Sequence, residues 1–245
     1  MKILVCISNV PDTTTKISFA NNNKDFNTAG VQFIINPYDE IALTRALELK
    51  EALGGTVTVI NVGVATTEPN IRKALAIGAD DGIRINAEPV DAFFVASQIA
   101  ETAKKNQYDI ILTGRESIDY NGAQVGGMVA ELLGIPSITV ATKLDVNGAE
   151  ALLEREIDGG KEVVSTSMPF VASAQKGMAE PRIPNMRGIM TARTKPLQVI
   201  EPTGGDKLTA STGYELPPAK SACKMIPADK AEELIALLHT EAKVI

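Results

Sequence analysis

Tyr108-Asp109-Ile110-Ile111-Leu112-Thr113 runs directly into Gly114-Arg115-Glu116-Ser117-Ile118-Asp119-Tyr120-Asn121-Gly122-Ala123-Gln124-Val125-Gly126. The first run is short and apolar, as a central strand requires. Downstream, Ala123 to Leu133 places Val125, Met128, Val129, Leu132 and Leu133 on one helical stripe, and Gly134 with Pro136 supplies the stop. A strand, a glycine-bearing loop and a helix in that order leave unpaired backbone N–H groups at the positive end of a helix. An anionic phosphate is stabilised there without a basic side chain. Gly114, Gly122 and Gly126 let the backbone come close to such a ligand. The segment alone supports two readings: a phosphate-gripping loop of a nucleotide site, and an ordinary strand-to-helix turn.

Outward from this loop, the first 140 residues alternate strand and helix signals. Ile3 to Ile7, Val57 to Val62, Gly82 to Ile85, Ile110 to Thr113 and Ser137 to Ala141 are short strands rich in Ile and Val. Between them, Asn36-Pro37 opens a helix over Tyr38 to Leu53, Glu68-Pro69 one over Asn70 to Ile77, and Pro89 one over Val90 to Lys105. Gly54-Gly55 and Gly78 stand where a left-handed cap residue would end two of these helices. The alternation predicts an α/β fold: a Rossmann-like, mostly parallel sheet with helices on both faces. In that architecture ligands bind beyond the carboxyl ends of the strands, at a switch in strand order. The loops after Ile7, Val62 and Thr113 would converge there.

The 245 residues are 44% hydrophobic and carry a formal charge of −6 with both signs interspersed. That is enough chain for a substantial core, and it offers no global field to recruit nucleic acid or an acidic membrane. Met1-Lys2 leads straight into Ile3-Leu-Val-Cys-Ile7, too short a run for a signal peptide or a membrane span, which predicts a cytoplasmic protein without direct membrane insertion. Cys6 and Cys223 lie far apart without CxxC spacing, and His239 is the single histidine, so no disulfide framework or zinc site is expected. Cys6 reads as a small buried hydrophobe.

After residue 150 the pattern changes. Ala151 to Ile157 and Lys161 to Ser167, joined by Asp158-Gly159-Gly160, predict an antiparallel hairpin, and Phe170 to Ala174 a return to the sheet. Residues 175–195 lose periodicity and gather Pro181, Pro184, Gly188, Arg182, Arg187, Arg193 and Lys195. A loop of that length without regular structure is commonly functional. From Pro196 to Pro227 little could form a core, and only Ala228 to His239 recovers an apolar helical stripe. The division expected is a nucleotide-binding α/β domain over 1–195, including a loop at 175–195, and an extended carboxyl-terminal arm with a helix over 196–245. The arm either packs on its own domain or reaches a partner subunit.

These residues together resemble the beta (small) subunit of electron transfer flavoproteins, along nearly the whole chain. The blocks that carry the resemblance are Val5-Cys-Ile-Ser-Asn-Val-Pro-Asp12, Ile35-Asn-Pro-Tyr-Asp-Glu-Ile-Ala42 and Arg72-Lys-Ala-Leu-Ala-Ile-Gly-Ala-Asp80. Most specific is Arg155-Glu-Ile-Asp-Gly-Gly160, followed by Met168-Pro169, Glu180-Pro-Arg182 and Ile189-Met-Thr-Ala-Arg193. Leu153 and Phe170-Val171-Ala172 depart from the most typical residues.

The resemblance implies a heterodimer with an alpha subunit that carries FAD and relays electrons from acyl-CoA dehydrogenases of fatty acid beta-oxidation to a quinone reductase. The small subunit would be no enzyme, which agrees with the lack of a plausible nucleophile and base pair. It implies AMP as a structural ligand walled by Cys6, by Asn36, Pro37, Tyr38 and Asp39, by Val62, and by the loop from Gly114 to Val125, with Asn121 and Gln124 helping loop amides hold the phosphate. It implies a recognition loop that docks dehydrogenases, with Met186 at the apolar anchor position and Arg182, Arg187 and Ile189 around it, and a turn at Pro11-Asp12-Thr13 facing the alpha-subunit flavin. The alternative is a bifurcating relative in which a second FAD replaces AMP and accepts hydride from NADH. Ala123-Gln-Val-Gly126 is similar to those members, whereas Asp119-Tyr-Asn-Gly122 lacks their usual pattern.

Overall fold

Strand β1 (Lys2–Cys6) is buried on both faces, which only a strand sandwiched between two helical layers can be. The computed structural model describes residues 1–220 and 222–245. In chain order β1 is followed by two short antiparallel pairs: β2 (Asn9–Pro11) with β5 (Phe33–Ile35), and β3 (Phe19–Ala20) with β4 (Asp25–Phe26). Then come α1 (Pro37–Leu53), β6 (Thr56–Val62), α2 (Glu68–Ile77), β7 (Asp81–Ile85), α3 (Ala92–Asn106), β8 (Ile110–Gly114) and α4 (Val125–Leu133). The chain continues through β9 (Ser137–Asn147), β10 (Glu150–Ile157), β11 (Gly160–Ser167), β12 (Phe170–Ala174), α5 (Met186–Ala192), β13 (Leu197–Ile200) and α6 (Ala231–Leu237).

Nine strands form one sheet in the order β11-β10-β9-β12-β8-β1-β6-β7-β13. The seven from β9 to β13 along that row pair in parallel, and β9, β10 and β11 form an antiparallel extension. The mostly parallel α/β architecture is thus the one the sequence predicts. Ile3 and Val5 pack with Ile41, Leu43, Leu47, Ile71 and Leu75 of α1 and α2, whereas Leu4 and Cys6 pack with Ile99, Ala103 and Val129 of α3 and α4. Phe170, fully buried in β12, is a mainstay of the α1 side. A side chain of that kind contributes about 1.5–3 kcal/mol when removed from water.

Three segments differ from the sequence expectations. Strand β9 runs to Asn147 instead of stopping at Ala141, because Ala141 to Asn147 pairs with β10 beyond the end of β12. The stretch 175–195 is not wholly structureless: α5 occupies its second half, started by Asn185, whose side chain accepts from Gly188 N at 2.8 Å. The chain also stays in the sheet past Pro196, since β13 pairs with β7, so the stretch without regular structure begins after Ile200.

Candidate functional site

The connection order reverses beside β1. The chain leaves β1 through α1 to β6 on one side, goes on through α2 to β7, and crosses back through α3 to β8 on the other side. The carboxyl ends of β1 and β8 therefore border a switch-point crevice, the usual ligand position in such sheets. The segment from Gly114 to Val125 leaves the sheet there.

The start of α1 holds this segment from behind. Asn36 occupies the position before the helix but makes no side-chain cap bond to α1. Its Nδ2 instead donates to Glu116 O at 2.8 Å, and its Oδ1 accepts from Ile118 N at 3.2 Å. Asp39 works the same way one turn on: Oδ2 accepts from Ser8 N at 2.6 Å and Oδ1 from Gly114 N at 2.9 Å. Both side chains are buried, and burial pushes the Asp39 carboxyl up to about 7 against the amide bonds that favour its charged form. These two residues fasten β1, β8 and the loop together. Tyr38, between them, lies with its ring centroid 5.4 Å from the Arg115 guanidinium, which also sits 3.1 Å from Glu116. The Arg115 charge is thereby engaged within the loop.

Beyond this base the loop turns outward. Ser117 O accepts from Asn121 N at 2.8 Å, and both Asn121 and Ala123 take left-handed backbone conformations at φ 51°. Asp119, Tyr120, Asn121, Ala123 and Gln124 are exposed. Gln124 precedes α4 and makes no side-chain cap bond, which leaves the first turn of that helix open to an anion. Beneath that turn, Thr113 is buried with its hydroxyl unpartnered, and Asn61 at the end of β6 has an unpartnered buried carbonyl oxygen. Native interiors rarely leave such atoms without a partner, so two of them near the ends of β8 and β6, the strands on either side of β1, mark a place where the chain alone is incomplete.

The glycines do not all serve a ligand. A Cβ on Gly114 would collide with Asp39, Tyr38 and Asn36, and one on Gly126 would stand 2.9 Å from Thr113 Oγ1. Both are therefore required by the protein's own packing. Gly122 differs: its added Cβ would meet only the Tyr120 ring, at 3.2 Å. Cys6 is buried on the α3 side, where burial and then the nearby Asp39 push its thiol well above the ordinary range, so it stays protonated. Val62, also buried on that side, ends β6 one residue before Gly63.

The structure thus gathers Cys6, Asn36 to Asp39, Val62 and Gly114 to Val125 at one end of the sheet. Met186, Arg187 and Ile189 lie elsewhere, on α5, which packs against α2. Arg72 of α2 donates to Ala192 O at 2.9 Å and Lys195 O at 2.7 Å, while Lys195 Nζ donates to Leu75 O at 2.9 Å and also to Ala79 O. Arg72 thereby caps the carboxyl end of α5, and Lys195, three residues past α5, caps that of α2. Met186 is 75% exposed and Met190 70%, with Ile183 at 91% just before the helix. Arg182 is held by a two-pronged pair with Glu51 of α1, at 2.6 and 2.8 Å.

Thr113, Asn61 and Ser8 escape the sequence reading of the site. The signal for the first two was a polar residue one place before the end of a mostly apolar strand. Ser8 acts through its backbone, which no composition pattern reveals. Among the described residues no helix is long and apolar enough to cross a membrane, and no cluster of His, Cys, Asp and Glu could hold a metal ion.

Comparison with known proteins gives a consistent result. The family model described as "Electron transfer flavoprotein domain" matches residues 24–204. The electron transfer flavoprotein subunit beta of Bacillus subtilis (strain 168) is 39% identical over 260 residues, covering 100% of both chains. That of Syntrophomonas wolfei is 38% identical over 224 residues, covering 91% of this chain and 88% of its own. The human protein of the same name is 34% identical over 254 residues, covering 100% and 99%. A strand-switch crevice, a full-length match and a shared family model agree: the chain belongs to the electron transfer flavoprotein family, among its beta subunits.

Proposed function

We propose that this chain is the non-catalytic subunit of a two-chain electron carrier, binding AMP at the switch-point crevice and docking electron-donating dehydrogenases through α5. The observation that carries the nucleotide reading is the pairing of an uncapped α4 amino terminus with the buried, unpartnered Thr113 hydroxyl directly beneath it. Phosphate would sit at that helix start, held by backbone N–H groups of Val125, Gly126 and Gly127 with Asn121 and Gln124 as side-chain helpers. Arg115 to Ile118, anchored by Asn36 and Asp39, would form the wall against which the nucleoside rests. A ligand bound there joins β1, β8 and α4, and stabilises the folded chain by mass action.

In this reading the alpha subunit is the partner of the arm and carries the FAD, and that flavin supplies the electron relay towards a quinone reductase. This chain's own task is positional. The exposed thioethers of Met186 and Met190 offer a deformable apolar contact suited to acyl-CoA dehydrogenases of differing surface. The test is an absorbance spectrum and nucleotide analysis of the purified two-chain complex. One flavin plus AMP supports the proposal; two flavins would replace it by the bifurcating alternative, with a second FAD in this crevice. Gly122→Val should lower AMP retention with little loss of stability in the nucleotide-stripped protein, because its side chain would face the ligand space. Full AMP occupancy in that variant would remove the site from this loop.

A further inference from the structure

Among the described residues, the chain beyond β13 has no regular structure until Ala228, yet its first part does not wander. Gln98, 1% exposed in the middle of α3, turns its amide to the backbone of Thr203: Nε2 donates to Thr203 O at 2.9 Å and Oε1 accepts from Thr203 N at 2.8 Å. A buried amide that satisfies both its groups on one distant residue imitates a strand partner. Five residues on, Asp91 Oδ2 accepts from Leu208 N at 2.6 Å and Thr209 N at 2.8 Å. The other oxygen of the same carboxylate accepts from Phe94 N at 2.7 Å and caps α3. Further along, Tyr214 N donates to Asn23 O at 2.7 Å, and the Tyr214 ring stacks on Phe19 at 5.0 Å and 15°. Phe19 and Asn23 belong to the β3–β4 hairpin, whose turn holds Asn21, Asn22 and Asn23 in consecutive left-handed conformations. After Tyr214 the described residues up to Pro227 show no comparable anchorage to the domain and are almost all exposed.

We propose that residues 203–214 form an intramolecular strap, pinned by Gln98, Asp91 and the β3–β4 hairpin, and that only the tail from Glu215 onward is free to engage a partner. The strap fixes where that tail leaves the domain, at the β3–β4 hairpin. It also fixes the register of the tail before any partner arrives, which lowers the ordering cost of association. Identification of the tail's partner as the alpha subunit rests on the proposed function, whereas the strap itself does not.

Hydrogen exchange on the full-length chain, alone and in its two-chain complex, tests both levels. The amides of Thr203, Leu208, Thr209 and Tyr214 should exchange at least about tenfold more slowly than those of residues 215–227 even without a partner. Asp91→Ser keeps a side chain able to cap α3 but too short to reach the strap. It should accelerate Leu208 and Thr209 about tenfold or more while Phe94 stays protected. Uniformly fast exchange from 203 to 227 in the unaltered chain would overturn the strap, as would an Asp91→Ser variant that leaves Leu208 and Thr209 slow. In the complex, protection gained only beyond Glu215 supports the division between strap and tail. Protection newly gained over 203–214 would refute it. A protected strap in a chain that fails to bind an alpha subunit would leave the strap intact and refute the partner assignment instead.

Discussion

Gly114→Ala is the substitution whose outcome the structure sets most tightly. The backbone at this position is not left-handed, so alanine would be conformationally acceptable and on chain entropy alone would stabilise by about 0.4–1 kcal/mol. Packing reverses the sign. The new methyl would overlap Asp39 Oδ1 and stand 2.7 Å from Tyr38 Cβ and 3.0 Å from Asn36 Nδ2. Neither acid nor amide can retreat without cost, since Asp39 Oδ1 holds Gly114 N and Asn36 holds Glu116 and Ile118. Overpacking of this kind costs about 1–3 kcal/mol and loss of one buried bond to the carboxyl about 1–3 kcal/mol more, together outweighing the entropic gain. For a chain of this size the resulting net loss of about 1–5.5 kcal/mol lowers Tm by roughly 2–20 °C. Gly127→Ala is the control, because nothing lies within 4 Å of its added Cβ and the helix gains propensity. Thermal unfolding followed by circular dichroism, on nucleotide-stripped protein, reads both. A Gly114→Ala protein melting with or above the Gly127→Ala protein would refute the idea that Asn36 and Asp39 clamp this loop.

Asp39 also predicts a pH dependence. Burial raises its carboxyl from 3.8 to about 7, so between those values the folded chain holds a proton that the unfolded chain has released. Its contribution to stability is full below about pH 4 and is lost as the pH rises towards 7; Asp39→Asn should flatten that part of a denaturation profile, and unchanged slopes would rule the assignment out. Met186→Ala should weaken a dehydrogenase partner's Kd about 5- to 30-fold, the equivalent of about 1–2 kcal/mol, with the nucleotide content unaltered; unchanged binding would leave Met186 outside the docking surface. Arg72→Met removes the cap that α2 gives α5, so trypsin should cut after Arg187 and Arg193 several-fold faster while global unfolding shifts little. Truncation after Ile200 should keep the sheet folded, whereas truncation before Leu197 exposes the β7 edge and should promote aggregation; equal solubility of the two would count against β13 as an edge cover.

The α/β alternation was legible because β1, β6 and β8 are mostly apolar runs buried on both faces, β7 brings Ile83 and Ile85, and α1 to α4 carry clear start or stop residues. What escaped has one cause. Helix α5 spans only Met186 to Ala192, too short to persist on its own, and is held by Arg72 and Lys195, whose role depends on residues over a hundred positions apart. Strand β13 is four residues whose pairing with β7 gives no local signal. The strap is fastened by Gln98 and Asp91, again across more than a hundred residues, and hydrogen bonds from side chain to distant backbone leave no periodicity to read. At the site, the glycine loop and the helix after it were visible, but the reason for each glycine was not. Gly114 and Gly126 answer to Asp39 and Thr113, which only the folded chain brings near.

The contrast between the two thiols gives the protein a built-in reporter. Cys6 is sealed in the interior and held protonated, whereas Cys223 is exposed in the tail. A maleimide dye or spin label added to the unaltered chain should therefore react at Cys223 alone. Its emission anisotropy or line shape would then report whether a second subunit closes over the tail, as proposed, with no engineered cysteine needed.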